Sequence, residues 1–213
     1  VDMDVIDGQI GITIHQIVPT LYRYFKEWEQ GDSSFNAMSK SIIKNPDFPG
    51  NIDFYLPPRD NRINDQAFWD SVCLNLLKNY DVVFFDTAID YMGYEAVSNV
   101  YKIADKITLL STTSIKSVSS VVKQAKRLKG EQANDVYNKE MKLEDKLQLV
   151  VTQVDKNDSV SELAIKMLSD EVDIVTIFGN LTAKIQRAEY YGEWNIFDDH
   201  QQFMDGIDLI LEG

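Results

Sequence analysis

The sequence predicts an α/β protein with a mostly parallel sheet and helices on both faces. Several segments are candidate strands, and the run at 82–85 has four apolar residues without polar alternation, as in a strand that is buried on both faces. The candidate strands cover residues 82–85, 106–110, 147–152 and 172–178. Segments with helical periodicity separate these runs, which is typical of right-handed β–α–β units. Polar residues follow the runs, at the strand ends where open α/β sheets bind ligands, and we expect Asp86, Asp4 and Ser111 to gather at one edge of the sheet.

Three helices and one short strand are predicted before the first of these runs. A helix over 19–30 is bounded by a proline and a glycine, and a shorter helix follows over 34–44. Residues 52–56 are a candidate strand. Asp65 is the predicted N-cap of a helix over 65–79. The apolar side of that helix is predicted to consist of Phe68, Val72, Leu76 and Leu77.

The rest of the chain alternates between helices and strands. The pattern S-V-S-E at 159–162 is a capping box that predicts the start of a helix. Residues 131–145 are charged and mixed, and they indicate either a helix or a surface excursion. The predicted helices cover residues 93–103, 114–129, 159–168, 182–191 and 198–211.

Length and composition predict one domain over residues 1–213, or one domain with a small appendage. The apolar fraction of 44% is ample for a single core, and no apolar run is long enough to predict a membrane span. The single cysteine, Cys73, excludes an internal disulfide and a cysteine zinc site, which favours a reducing cytoplasm.

The net charge of −13 bears on the partners of the protein. A broad nucleic-acid footprint needs clustered lysine and arginine, and docking on an anionic membrane needs a basic surface. We therefore expect no strong nucleic-acid binding and no membrane anchor within this chain, and we expect protein partners.

Two acidic patterns are candidate functional groups. Asp86 ends the apolar run at 82–85, and in nucleotide-hydrolysing enzymes a carboxylate at such a position holds Mg²⁺ beside the phosphates. The alternative is an aspartate that only caps the following turn. Asp2, Asp4 and Asp7 precede Gly8 at the start of the chain. A solvated acidic turn is the alternative interpretation there.

Five segments in order along the chain resemble one family. They are D-M-D at 2–4, Y-D-V-V-F-F-D-T at 80–87, A-D-K-I-T-L-L-S-T-T-S at 104–114, L-V-V-T-Q-V-D at 149–155 and T-I-F-G-N-L-T-A-K-I-Q-R-A-E-Y-Y-G-E at 176–193. Together they are similar to segments of the MinD/ParA family of deviant P-loop ATPases. I-D-F-Y-L-P-P at 52–58 resembles the pilus-assembly and polar-localisation branch of that family.

The resemblance implies a P-loop NTPase-like fold, with ATP and Mg²⁺ as cofactors. It implies that Asp86 holds the magnesium shell, that Asp4 positions the attacking water and that Asp2 supports Asp4. Other residues are implied to order a switch or to lie near the base. They are Thr87 for the switch and Gln153, Phe178, Gly179 and Asn180 for the base.

The sequence also departs from the family. None of the ten glycines is followed by lysine, so the phosphate-binding loop is absent from these residues. The family places that loop and its strand before the D-x-D pattern. We therefore expect either residues before Val1 or a degenerate member. Ala88 follows the D-T pair where the family has proline, and 178–179 replaces an Ile-Pro step.

Three functions remain open from the sequence. The first is an ATP-dependent dimerisation switch that hydrolyses ATP slowly and localises partner proteins, acting as a homodimer. The second is a catalytically inactive scaffold of the same fold. The third is an unrelated flavodoxin-like binding domain whose acidic strand ends are coincidental.

Overall fold

A computed structural model describes residues 20–43, 53, 55, 63, 65–87, 100–131, 143–155, 158–179 and 201–212. Chain contacts divide the protein into two compact units, Val1–Val100 and Tyr101–Gly213. The single domain over 1–213 stays a prediction. Among the predicted helices, 182–191 lies outside the described residues, and of 93–103 only residues 100–103 are described, as helix.

The first unit contains three described helices, and each begins after a polar N-cap residue, of which the sequence predicted Asp65. They are α1 (Leu21–Glu29), α2 (Phe35–Ser39) and α3 (Gln66–Asn79). Their N-cap side chains, Thr20, Ser34 and Asp65, each accept a hydrogen bond from a backbone N–H of the first turn. Gly31 has a φ of +94°, the left-handed conformation that ends a helix. Helix α2 is shorter than predicted, and of the predicted strand 52–56 only two residues are described.

Aromatic side chains form the core of this unit. The rings of Tyr24 and Phe68 are completely buried and lie 5.5 Å apart. The Tyr24 hydroxyl lies 2.7 Å from Ser71 Oγ, and burial raises the pKa of this tyrosine. The predicted apolar side of α3 is correct for Phe68, Val72 and Leu76 but wrong for Leu77, which is 53% exposed. Leu77 follows Phe68 by nine positions, which at 100° per residue places it on the opposite side of the helix.

The buried strand predicted over 82–85 is not confirmed. Val82 is 59% exposed and Phe84 is 64% exposed, and no strand is assigned there apart from a one-residue bridge at Asp86. A strand is buried on both faces only when neighbouring strands pair with it and helices cover it. Residues 82–85 have no ladder partner within the described part of the chain, so the apolar run alone does not produce a buried strand.

The second unit contains a parallel sheet, as predicted. Its strands are β1 (Ile107–Thr112), β2 (Leu147–Val154) and β3 (Ile174–Gly179), in the spatial order β1-β2-β3. The register of β1 and β2 runs without interruption from the Ile107–Leu147 pair to the Thr112–Thr152 pair. The described helices of this unit are α4 (Ile115–Leu128), α5 (Ser159–Ser169) and α6 (Gln201–Glu212), with a short 3₁₀ helix at Glu144–Lys146.

Helices cover both faces of this sheet. The Gln148 amide donates to Thr108 Oγ1 and to the Ile210 carbonyl of α6. Helix α6 therefore lies on the face of the sheet that carries the side chains of Gln148 and Thr108. Ser111 Oγ lies 3.2 Å from Ser117 Oγ of α4. Position 111 is an odd number of residues from position 108, and adjacent strand residues point to opposite faces. Helices α4 and α6 therefore pack on opposite sides, which confirms the predicted α/β architecture.

Close packing of α6 depends on a glycine. A Cβ atom at Gly206 would lie 2.5 Å from the ring of Phe178 in β3, inside van der Waals contact. The missing side chain therefore lets the helix approach the strand closely. None of the helices in the described ranges has the length and apolar character that a membrane crossing requires.

The cap of α5 corrects the predicted capping box. The helix begins at Ser159, and the preceding Asp158 is its N-cap, accepting hydrogen bonds from the N–H groups of Val160 and Ser161. Ser159 is thus the first helical residue and not the cap. A carboxylate has two acceptor oxygens and favours the positive end of the helix dipole, so it satisfies two N–H groups where a serine oxygen satisfies one.

Replacing Leu149 by alanine is expected to lower the free energy of unfolding by about 2–5 kcal/mol. Leu149 is completely buried on the middle strand β2, so truncation leaves a cavity. The matched control is Leu110→Ala on β1, where the side chain is 63% exposed and the expected change is about 0.5 kcal/mol or less. Denaturant unfolding of both variants tests this prediction, and equal losses would contradict it.

Replacing Asp158 by alanine is expected to lower the free energy of unfolding by about 0.5–2 kcal/mol, because two N–H groups of α5 lose their acceptor. Asp158→Asn keeps an acceptor oxygen and is expected to retain most of the stability. Ser159→Ala is the control, with little expected effect. A larger loss of stability for Ser159→Ala than for Asp158→Ala in thermal unfolding would support the predicted capping box with Ser159 as the cap.

Candidate functional site

The three strands of the second unit end at a common edge. Thr112 of β1 pairs with Thr152 of β2, and Val154 of β2 pairs with Gly179 of β3. Parallel strands present their carboxyl ends on one side of a sheet, where open α/β folds bind ligands. The structure thus brings Gln153 together with the end of β3, two of the positions that the sequence assigns to base recognition.

Gln153 has an unusual backbone at this edge. Its φ of +59° is the only positive value among the non-glycine residues that the structure describes. The ladder between β2 and β3 shifts between Val151 and Val154, so Gln153 lies in a β-bulge. Its side chain is exposed, which leaves an amide with donors and an acceptor open to solvent. Residues held in the left-handed region cluster at functional sites, where the surrounding structure maintains them.

The last two residues of β3, Phe178 and Gly179, have different surroundings. Phe178 is 6% exposed, and its ring lies against Gly206 of α6, so it belongs to the core between strand and helix. Gly179 follows at the strand end, and apart from its two chain neighbours no atom of the described residues lies within 4 Å of the position that its Cβ would take. Of this pair, the backbone at Gly179 is the part with room for a ligand. Asn180 lies outside the described residues.

The hydroxyl groups that end β1 are engaged in the turn to α4. Ser111 is 2% exposed, and its Oγ donates to the Thr112 carbonyl at 2.9 Å. Thr112 Oγ1 lies 3.0 Å from Ser114 Oγ, and Ser114 is the N-cap of α4. The sequence predicts Ser111 at the site edge beside the aspartates. The structure places its side chain under α4, where it connects strand and helix.

Asp86 and Thr87 belong to the first unit. Asp86 is exposed at the end of the segment 81–86, and Thr87 is half-buried and takes part in an interaction of its own. Asp2 and Asp4 lie outside the described residues. The sequence places all four on the phosphate side of a nucleotide, and these assignments stay predictions.

The chemistry of Asp86 fits one kind of magnesium site. No group of three or more histidine, cysteine, aspartate or glutamate side chains that could hold a metal occurs within the described ranges. Magnesium is usually bound by one or two carboxylates together with waters and substrate phosphates, without a full protein cage. A single exposed carboxylate therefore fits an ion that arrives with a nucleotide and does not fit a permanent structural metal.

A side-chain network that the sequence did not indicate lies before Asp86. The Tyr80 hydroxyl donates to Asp53 Oδ2 at 2.7 Å and lies 2.9 Å from the Tyr55 hydroxyl. Burial raises the pKa of Tyr55 to about 12, and burial together with the oxygens of Tyr55 and Asp53 raises the pKa of Tyr80. Tyr80 and Asp53 each lie in a segment that the sequence singled out. Their pairing joins positions 27 residues apart, and no local pattern predicts it.

Comparisons with known proteins support the fold. No family model matches the chain, and no curated protein matches it in sequence. The structure is similar to the crystal structure of a Borrelia burgdorferi B31 protein that is named for plasmid partition and is bound to AMPPNP. The TM-score is 0.55 at 14% sequence identity, over 99% of this chain and 83% of that chain. At this identity the likeness concerns the fold, and the chain has the P-loop NTPase-like α/β fold with a mostly parallel sheet.

Proposed function

We propose that this protein is a ParA-like ATPase that acts as an ATP-dependent dimerisation switch, hydrolysing ATP slowly and localising or partitioning partner proteins or assemblies. The observation that carries this proposal is the fold likeness to a partition protein bound to an ATP analogue. The five family-like segments support it independently, because they come from the sequence and not from the coordinates.

The strand ends of the second unit support nucleotide binding. Gln153 presents an exposed amide at the carboxyl edge of the sheet, and Gly179 leaves its backbone accessible there. An amide both donates and accepts hydrogen bonds, so it suits the edge of a purine base. In the proposal, Gln153 and the loop 178–180 lie near adenine, with contacts from the backbone at Gly179 and not from the buried ring of Phe178.

The acidic residues are proposed to act on the phosphate side. Asp86 would hold the water shell of Mg²⁺, an ion that offsets the charge of the phosphates when it is bound. Asp4 would orient the attacking water, with Asp2 in support, and Thr87 would order the switch segment. Positioning of a water molecule acts mainly on the chemical step, whereas a metal ligand acts on binding as well.

Charge supports protein partners, including a second copy of the chain, over nucleic acid. The chain carries a net charge of −13, and two lysine side chains at the end of α4 already have partners within the chain. Lys126 forms an ion pair of 3.0 Å with Glu171, and the Lys129 ammonium group donates to the Glu171 carbonyl. Fewer cations are then available to displace the counterions of a nucleic acid.

A catalytically inactive scaffold of the same fold is the second candidate. The observation that favours it is the absence of a Gly-Lys step, since none of the ten glycines precedes a lysine. Without the phosphate-binding lysine the chain would keep the sheet and the protein contacts but would not turn over ATP. Measuring ATP binding and phosphate release by the intact protein separates the two candidates.

Asp86→Ala in the intact protein is expected to weaken Mg²⁺-dependent ATP binding about 10- to 100-fold, the scale of losing one interaction with a charged group. Dimer formation in ATP is expected to fall in parallel. Fluorescent-nucleotide titration and mass measurement in solution test both. Asp81→Ala is the matched control, because Asp81 is an exposed aspartate of the same segment. Equal effects of the two substitutions would show that Asp86 is not part of the nucleotide site.

Asp4→Ala in the intact protein is expected to retain ATP and to accumulate the dimer while turnover falls roughly 10²-fold or more, because water positioning is lost. Phosphate release measured beside nucleotide affinity tests the split between chemistry and binding. Normal turnover by this variant would show that Asp4 has no role in the chemical step.

A further inference from the structure

The buried ring of Phe178 joins the end of β3 to α6. Phe178 is 6% exposed, and a Cβ atom added at Gly206 would lie 2.5 Å from its Cε1 and Cζ atoms. The same Cβ atom would lie 3.0 Å from Thr176 Oγ1. Carbon atoms in ordinary contact are about 3.5–4.0 Å apart. The helix therefore approaches this end of β3 more closely than any residue with a side chain would allow.

A second contact holds α6 on the sheet farther along the helix. The Gln148 amide donates to the Ile210 carbonyl at 3.0 Å, and Gln148 is 4% exposed. Gln148 lies near the amino end of β2, whereas Phe178 lies near the carboxyl end of β3. Helix α6 thus runs antiparallel to the strands. Of its two contacts, the one at Gly206 lies toward the edge that carries the candidate base site.

Phe178 also lies where the pairing of β2 with β3 is shifted. Between the pair Val151–Ile177 and the pair Val154–Gly179, β2 advances by three residues and β3 by two. Phe178 is therefore opposite the β-bulge, and the next residue of its chain is the glycine at the strand end. Close-packed side chains do not move independently of their backbone. A displacement of this ring is thus passed on to Gly179.

The ring and the backbone at this strand end have separate roles. The ring is enclosed between the strand and the helix, so a nucleotide at the sheet edge does not touch it. The backbone of Gly179 is the part with room for a ligand. Any effect of the Phe178 ring on a bound base is therefore transmitted through the backbone that the two residues share.

We infer that Phe178, held against Gly206 of α6, is a positioning residue that fixes the backbone of Gly179 for the adenine of a bound nucleotide. This inference rests on the proposed adenine site at the end of β3. It adds that the affinity for the base is set by the packing of α6 on the strand and not only by the groups that contact the base.

The test is Gly206→Ala in the intact protein, because the added methyl group displaces the Phe178 ring. Isothermal titration calorimetry gives the affinities for ATP and for inorganic tripolyphosphate, which has the phosphates but no base, both with Mg²⁺. The expected result is an about tenfold loss of affinity for ATP, the scale of losing one or two hydrogen bonds, and no change for tripolyphosphate. A general loss of stability would lower both affinities together, so their ratio separates positioning from stability.

Phe178→Leu and the double variant complete the test. Leucine lacks the Cε1 and Cζ atoms that an alanine at position 206 would meet. Alone, Phe178→Leu leaves a void beside Gly206 and is also expected to weaken ATP binding selectively. The methyl group of Gly206→Ala fills that void, so the double variant is expected to bind ATP more tightly than either single variant. Both single variants report the same ratio, so the test does not depend on one of them alone being folded.

Asp208→Ala is the matched control on the same helix, because its side chain is exposed. This variant is expected to keep both affinities at the wild-type values. If Gly206→Ala and Phe178→Leu leave the ratio of the two affinities unchanged, or if the double variant binds ATP more weakly than both, the inference is overturned and the proposed ATP binding stands. If the wild type binds ATP no more tightly than tripolyphosphate, the adenine site and the inference fail together.

Discussion

Every strand end of the second unit takes its position from the parallel pairing of β2 with β1 on one side and β3 on the other. The uninterrupted register with β1 fixes which residues face α4 and which face α6. The shifted register with β3 produces the bulge that turns Gln153 outward. One set of backbone hydrogen bonds thus determines both the core and the exposed edge, so the candidate base site cannot change position without repacking the sheet.

The two units support the proposed chemistry in different ways. In the second unit, backbone geometry creates the candidate site, because the strand ends and the bulge at Gln153 expose polar groups at one edge. In the first unit the candidate group is a side chain, the exposed carboxylate of Asp86 at the end of the segment 81–86. The hydrogen bond from Tyr80 to Asp53 lies at the start of the same segment.

Much of the fold was predictable because it depends on local sequence signals. Features that depend on contacts between distant residues were not predictable. Asp65 was recognisable as a helix cap because a cap acts within three residues. The run at 82–85 was misleading, because apolar residues form a buried strand only when other segments pair with them and cover them. The left-handed backbone of Gln153 had no signal either, since glutamine has no special preference for that region. At the candidate site, Gln153 and Asp86 stay predictions from the sequence, and no local pattern indicated the pairing of Tyr80 with Asp53.

Gly206 has a consequence for how the chain folds. A glycine inside a helix costs about 1 kcal/mol relative to alanine, and a helix as short as α6 (Gln201–Glu212) is marginal in isolation even with a good composition. The same glycine is what allows the helix to contact the ring of Phe178. Helix α6 is therefore expected to gain much of its order from the surface of β3 on which it docks. The C-terminal segment is thus expected to become structured late and to be the first part of its unit to open.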